Sequence, residues 1–390
     1  MLKSRLCIAF FAFAVGCAPA QKPLTDYVNP MLGTATLWDS VDLGFKPTKR
    51  TWGAEVFPGS SLPNAMVQVS PVTKFHSGAG YQYEDSVIYG FTHTNKGHWN
   101  LCHIPLLPVT GTPTPGDYCS PFSHERESAA PGYYQVFLDR YGVDAQLSST
   151  LRCAFHKYTY PAGAAASLLA DLQRSNEHVR AWDIRKEGDN VFAGWQQTGE
   201  KMYFYAVANR PVTGIEPVVE GDREVRIVRF GEGDGALELR IGFSFVSEKN
   251  ARENLEAEML GKSFAEVRSE ATATWNDLLG RIRVEGGTER EKGLFYSSLY
   301  RSFLWPALRS DVNGEFTDVD GKVINPGFRY YTGPSYWDDY RNKLILLGML
   351  APDVAADVIS SDTDKGEKRG GFMPTFFHGD HASAFVAGTY

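Results

Sequence analysis

From residue 24 to residue 248 the apolar positions recur mostly at every second place. Leu237, Leu239, Ile241, Phe243 and Phe245 alternate strictly with other residues. Val143, Ala145 and Leu147 repeat the pattern, as do Tyr158 and Tyr160 after Phe155. Successive side chains of a strand point to opposite faces, so each run puts one face into a core. Gly, Pro and Asp cluster between the runs, at 113–116, 131–132, 161–163 and 231–235. Many short strands between such turns predict a large antiparallel β-sandwich over residues 24–248.

The period changes near Ser247. Residues 249–287 read as a helical linker, interrupted at Gly261. Ser263 and Glu266 form a capping box, in which the Ser hydroxyl and the Glu carboxylate each take a backbone N–H at the helix start. Phe264, Val267, Ala271 and Leu278 follow at helical spacing, and Gly280 is a natural stop. A second domain is predicted over residues 288–390. Phe295, Leu299 and Phe303 make one stripe there, and Tyr296, Tyr300 and Leu304 a neighbouring one, so this helix is apolar over a wide arc and reads as buried. Asn313-Gly314 and Asp320-Gly321 mark tight turns in a short β excursion. A second helix is expected from Asp338 or Asp339 to Leu350, stopped by Pro352. A third is expected from Asp353 to about Ser360, and a last one from Ala382.

Composition narrows this multi-domain picture. The 390 residues suffice for two sizeable cores. The net charge is −7 with no basic run, which argues against nucleic acid, whose phosphates need a basic surface. Residues 1–20 form an export signal: Lys3 and Arg5, then a short apolar run too short to span a bilayer. Ala14-Val15-Gly16-Cys17 resembles a bacterial lipobox, which makes Cys17 the candidate acylated residue. Ala18-Pro19-Ala20 is an alternative ordinary cleavage site. Cys102, Cys119 and Cys153 allow one disulfide, with the pairing open.

Several segments, in order, are similar to glycoside hydrolase family 92. They are 57–63 (FPGSSLP) running into 66–71 (MVQVSP), 77–83 (SGAGYQY) with 90–94 (GFTHT), 122–125 (FSHE) with 131–134 (PGYY), 336–341 (YWDDYR), and 379–382 (GDHA). The resemblance covers roughly residues 25–390. It implies a β-sandwich joined by helices to an (α/α)6 toroid. It also implies a bacterial, exo-acting, inverting α-mannosidase of glycan degradation that depends on calcium and takes mannose-containing glycans. Twelve helices need on the order of 190 residues, and the chain reaches about half of that past residue 287. The toroid is therefore expected to be truncated here, with the catalytic acid, the base and most calcium ligands beyond residue 390. Phe295, Leu299, Phe303, Leu344 and Leu347 are then expected on an unpartnered seam.

The candidate substrate-binding residues come from those matches. Asp338 and Asp339 are carboxylates suited to sugar hydroxyls, although acidic residues also belong in a first helical turn for its dipole. Trp337 reads equally as a stacking platform and as a core residue. Arg341 is a hydroxyl donor or, more simply, an ion-pair partner of Asp338. His93 is the expected sandwich-side contact, with Trp99 second, in a loop (95–103, NKGHWNLCH) that departs from the family's Ser-Gly-rich stretch. Asp380 and His381 line the pocket or cap a helix. His93, His98 and His103 recur every fifth residue, which is not a zinc spacing. Asp362, Asp364 and Gly366 lack the third acidic position and the distal Glu of a calcium loop. No metal ligand is assigned. The rival readings are a glycan-binding surface lipoprotein without chemistry and an unrelated toroid enzyme such as a lyase. The cell location expected is the periplasm or the outer membrane.

Overall fold

The structure is a computed structural model that describes residues 22–36, 44, 56–96, 99–373 and 380–389. The export signal with Cys17, and His98, lie outside the described residues.

Two antiparallel sheets face each other. One has seven strands, in the order Ser60–Ser61, Gln68–Val72, Gly90–Thr92, Leu106–Val109, Ser167–Ala170, Arg223–Phe230 and Val212–Glu220. The other has eight, in the order Ala181–Gly188, Val191–Gln197, Lys201–Ala208, Leu237–Ser244, Cys153–Thr159, Val143–Ser149, Tyr133–Leu138 and Glu127–Ala130. The alternating runs behave as their pattern demands: Leu237, Leu239, Ile241 and Phe243 are buried, with half-buried Glu238 and Arg240 between them. Their inner faces make one apolar cluster with Phe91, Tyr134 and Tyr158.

Helices α1 (Glu248–Glu258) and α2 (Phe264–Leu279) pack on the outer face of the eight-stranded sheet, where Phe155, Leu255, Met259, Phe264 and Val267 form a second cluster. Both bonds of the Ser263–Glu266 capping box are present. Two glycines admit these helices. A Cβ on Gly242 would stand 2.1 Å from the Ala251 carbonyl oxygen, and one on Gly132, at φ +78, 2.5 Å from the Ala271 Cβ.

Beyond the linker lie α3 (Glu289–Ser302), α4 (Tyr336–Asp339), α5 (Lys343–Leu350), α6 (Pro352–Lys368) and α7 (His381–Thr389), with a small hairpin of Phe316–Thr317 and Val323–Ile324. The architecture is thus an antiparallel sandwich followed by a helical part.

Several expectations are corrected. The single helix running to Leu350 is two, because Asn342 leaves helical geometry and its side chain caps Lys343 N at 2.6 Å, restarting the helix. Pro352 does not merely stop a helix but opens α6, since proline's missing N–H costs nothing at a first helical position. That third helix runs on to Lys368. Leu299, Phe303, Leu344 and Leu347 are buried within this chain, against its own sandwich and helices, so they form no open seam; Phe295 alone of the five is exposed. Among the described residues Cys102, Cys119 and Cys153 are free thiols, so no disulfide forms between them.

The helical part is keyed to the sandwich by polar bonds. Asn64 exchanges backbone bonds with Phe303 and Leu308 and donates its amide to the Pro306 carbonyl at 2.8 Å. Trp275 Nε1 donates to the Ser61 carbonyl at 2.7 Å while its ring lies 4.4 Å from that of Tyr300. Arg152 pairs with Glu258 at 2.6 Å and donates to the Ser310 carbonyl. Asp311 accepts Ser244, Asn250 and Asn254 side chains in a buried hub, and burial holds its carboxyl above the ordinary range.

Candidate sugar-binding site

Helix α4 is a single turn with two unlike sides. Tyr336, its first residue, is fully buried: its ring lies 6.1 Å from Phe385 of α7 and its hydroxyl donates to Asp362 of α6. Trp337 is 43% exposed, and Asp338 is exposed beside it. Ser335 Oγ donates to Asp338 Oδ2 at 2.6 Å, which orients that carboxylate. Asp339 differs from its neighbour. It is half-buried, and Lys343 Nζ pairs with its Oδ2 at 2.9 Å. Adjacent in sequence, the two carboxylates therefore have separate roles: Asp338 faces out, while Asp339 ties α4 to α5.

The chain then brings the other helical motif alongside. The Tyr340 ring stacks on His381 at 4.3 Å and 11°. Arg341 was expected to pair with Asp338. Its Nε instead donates to the Tyr340 hydroxyl at 2.9 Å, with the guanidinium over the same ring, so it braces the stack. Asp380 takes the Ser383 hydroxyl at 2.5 Å and the Ser383 N–H at 3.3 Å. These bonds hold its carboxyl below the usual range and cap the first turn of α7. Of the two readings left open, Asp380 takes the cap, and its carboxylate bonds Ser383 rather than the His381 ring. Tyr340, Arg341 and His381 thus come together in one stack from two segments of the chain, and Trp337 and Asp338 lie on the helical turn just before it.

On the sandwich side His93 is a correction. It is wholly buried, with Nε2 3.1 Å from His156 Nε2 and its ring 4.5 Å from Phe243. Burial pulls its basicity down to about 3, so it sits neutral in the core. It follows directly on the central strand Gly90–Thr92, which carries it inward. His103 is also buried, bonded to Thr94, Glu177 and Thr198. Trp99 remains as a surface aromatic, 44% exposed on the two-stranded turn of Asn95–Lys96 and Trp99–Asn100.

Sequence reasoning missed Glu127. Its side chain is almost fully buried. It accepts the Tyr81 hydroxyl at 3.0 Å, the Tyr134 hydroxyl at 2.5 Å and His124 Nδ1 at 2.6 Å, while His124 stacks on Tyr83 at 3.8 Å. Three of the resembling segments therefore converge on one internal carboxylate, where Tyr81, His124 and Tyr134 bond within the sandwich. The available signal was His124 and Glu127 three apart between two of those segments.

Among the described residues no three His, Cys, Asp or Glu side chains converge as a cation site. Asp362 is committed to Lys365 of its own helix α6 and to Tyr336 of α4, and Asp364 to Lys368 of α6. An open groove of about 620 Å³ between α2 and the outer sheet face, lined by Gln146, Lys157 and Arg268 among others, contains none of the candidate residues. No helix among the described residues is long and apolar enough to cross a membrane.

Comparison with known proteins bears on this arrangement. The profile of the glycosyl hydrolase family 92 N-terminal domain matches residues 27–253, and that of the family 92 catalytic domain matches residues 250–390. A family 92 alpha-mannosidase of Bacteroides thetaiotaomicron superposes with a TM-score of 0.84 at 26% identity, over 94% of this chain and 54% of that one. A structure of that mannosidase in complex with mannoimidazole gives 0.83 at 26% identity, covering 94% and 52%. An uncharacterized secreted glycosidase of Arthroderma benhamiae is 24% identical over 344 residues, 74% of this chain and 42% of that protein. The chain spans about half the length of these relatives.

Proposed function

The chain belongs to glycosyl hydrolase family 92, and from that premise we propose that it supplies a sugar-facing wall of an exo-acting α-mannosidase. The reaction proposed is hydrolysis of terminal α-mannosides of glycans, with inversion and dependence on calcium. The observation that carries the reading is the outward pairing of an indole and an oriented carboxylate on α4. Trp337 is a partly exposed indole, a side chain of the kind that packs on the C–H side of a pyranose. Asp338, held at one oxygen by Ser335, keeps a second oxygen for a ring hydroxyl. Hydrogen bonds to a charged group are the strong kind, and a carboxylate and an aromatic plane together define both ends of a sugar ring.

Inversion needs an acid and a base about 6.5–9.5 Å apart on opposite faces of the scissile bond. Asp338 and Asp339 cannot be that pair, being neighbours in one turn, with Asp339 committed to Lys343. In this reading Asp338 binds the sugar, Asp339 holds α4 on α5, and the acid and the base come from outside the described residues. The described residues do not form a calcium site by themselves, so no step here runs through the metal. Export follows the pattern of Lys3, Arg5 and the apolar run. Acylation at Cys17 would tether the protein to a bacterial membrane; mass spectrometry of the mature N-terminus decides this, and an unmodified start at Gln21 excludes it.

The test is turnover and binding of α-mannobiosides and methyl α-mannoside by the protein carrying this chain. Asp338→Asn is expected to weaken sugar binding about 10- to 100-fold, the worth of one hydrogen bond to a charged group, and Trp337→Ala to weaken it as well. Wild-type affinity in both variants would sink the proposal. Tight mannoside binding with no turnover, with or without calcium, would favour the glycan-binding lipoprotein instead.

A further inference from the structure

Helix α6 changes character halfway along its buried face. Ala355 and Val358 are apolar, but the following turns bury Ser361, Asp362 and Lys365. Taking a carboxylate and an ammonium out of water is costly, and apolar residues of similar volume would pack such a helix at least as stably. The buried pair is spent on particular bonds. Lys365 Nζ donates to Asp362 Oδ1 at 2.8 Å and to the Tyr331 carbonyl at 2.9 Å. Asp362 Oδ2 takes the Tyr336 hydroxyl. Both carboxylate oxygens are thereby used, and the backbone passes close above: a Cβ on Gly333 would stand 3.5 Å from Asp362 Oδ1.

Tyr336 is the first residue of α4, and the next two are Trp337 and Asp338. An apolar contact would hold the tyrosine ring while letting it slide or turn. A hydrogen bond weakens steeply with distance and angle, so the hydroxyl fixes α4 in both depth and rotation. A single helical turn with its first residue fixed presents its second and third residues in one direction.

We infer that Asp362 and Lys365 are positioning residues for the sugar wall: through the Tyr336 hydroxyl they set how far α4 stands out and which way Trp337 and Asp338 face. This rests on the mannoside reading for its ligand, but not for its geometry.

The experiment compares Tyr336→Phe, Asp362→Asn and Val358→Ala in the full chain, with Asp338→Asn as the reference for sugar contact. Three quantities are read: affinity for methyl α-mannoside, thermal midpoint, and the 19F signal of 5-fluorotryptophan at position 337, assigned by its loss in Trp337→Phe. Tyr336→Phe and Asp362→Asn are expected to weaken binding at least about tenfold and to shift or broaden the Trp337 signal. Val358→Ala, on the apolar half of the same helix face, is expected to lower the thermal midpoint and leave affinity and signal alone. If Val358→Ala weakens binding as much at an equal loss of midpoint, or if Tyr336→Phe changes neither affinity nor signal, the network is purely structural and the inference falls. If Asp338→Asn keeps wild-type affinity, the sugar reading fails, while a displaced Trp337 signal in Tyr336→Phe still upholds control of α4 by Asp362.

Discussion

The two sheets of the sandwich close on each other through apolar side chains, whereas the helical part shares that apolar cluster and is also pinned to the sandwich by polar bonds at chosen points. Phe91, Tyr134, Tyr158 and the Leu237–Ser244 strand meet between two fully laddered sheets. Across the joint the same apolar cluster continues through Leu299, Phe303 and Leu304, and polar bonds are added to it: Asn64 on Pro306, Trp275 on Ser61, Arg152 on Glu258 and Ser310, and three side chains on Asp311. The helical part also leaves Phe295, Ile345, Met349 and Phe372 exposed. Apolar packing tolerates small slips, while hydrogen bonds to carbonyls and carboxylates fix register. The difference teaches that apolar burial stabilises both regions while the polar bonds fix the register between them, which suits the proposed wall of Trp337 and Asp338.

The largest expected break comes from Trp275→Ala. Emptying a buried tryptophan site costs about 3–5 kcal/mol, and it leaves the Ser61 carbonyl unpaired in the interior, about 1–3 kcal/mol more. Because Trp275 touches both regions, limited proteolysis is expected to digest the chain after about residue 285 while the sandwich strands keep their hydrogen-exchange protection. Simultaneous loss of protection in both regions would mean that they fold as one unit and that the contrast is wrong.

Next comes the ion pair. Arg152→Met leaves Glu258 largely buried without its partner, at a cost of about 3–5 kcal/mol by urea denaturation. The double variant Arg152→Met, Glu258→Leu is expected to recover much of that, because an apolar pair of similar volume replaces the pair without stranding a charge. If single and double variants are equally unstable, the joint depends on Arg152 for packing rather than for charge pairing.

Acid acts with opposite signs on two buried histidines of the sandwich and on Asp311 at the joint. Burial lowers the basicity of His93 to about 3 and that of His156 well below normal. Both are neutral when folded, so the unfolded chain binds more protons below its own value of about 6.5. The sandwich is therefore at full strength above that pH and loses stability as pH falls toward 3, by up to about 1.4 kcal/mol per pH unit for each histidine. Asp311 runs the other way: burial raises its carboxyl, so its contribution is full in acid and lost as pH rises through its folded value. Thermal midpoints from pH 7 to pH 4 are expected to fall less steeply in the His93→Phe, His156→Phe double variant. An unchanged slope would place the acid sensitivity elsewhere.

The smallest effect is at the helix starts. Ser263 and Thr288 each accept the N–H of a residue three further on in a complete capping box. Ser263→Ala and Thr288→Ala are each expected to cost about 1 kcal/mol, and neither is expected to move mannoside affinity. A drop in affinity with either would show that the linker and α3 transmit their position to the site more directly than their packing indicates.

What the sequence determined by itself is local and periodic. Alternation placed the Leu237–Ser244 and Val143–Ser149 strands, because a period of two needs no knowledge of the partner sheet. The capping box at Ser263 and the tight turns around the Phe316–Thr317 hairpin are equally local, whereas the segment at 336–341 reads as a candidate sugar wall only through its resemblance to family 92, its residue types alone favouring an ordinary helix start. The tertiary structure decided where long-range partners meet. His93 reads as a sandwich-side substrate contact because its segment resembles the family's, but it follows a central strand that carries it into the core. Glu127 was invisible because the groups that give it meaning, Tyr81, His124 and Tyr134, come from different segments. Leu344 and Leu347 looked like an unpartnered stripe because periodicity states that a face is buried, not what buries it. The neighbouring carboxylates Asp338 and Asp339 read alike in sequence, and only Ser335, Lys343 and the buried Asp362 beneath Tyr336 tell them apart. Hydrogen-bond partners are chosen by distance in space, and one chain cannot show those distances until it is folded.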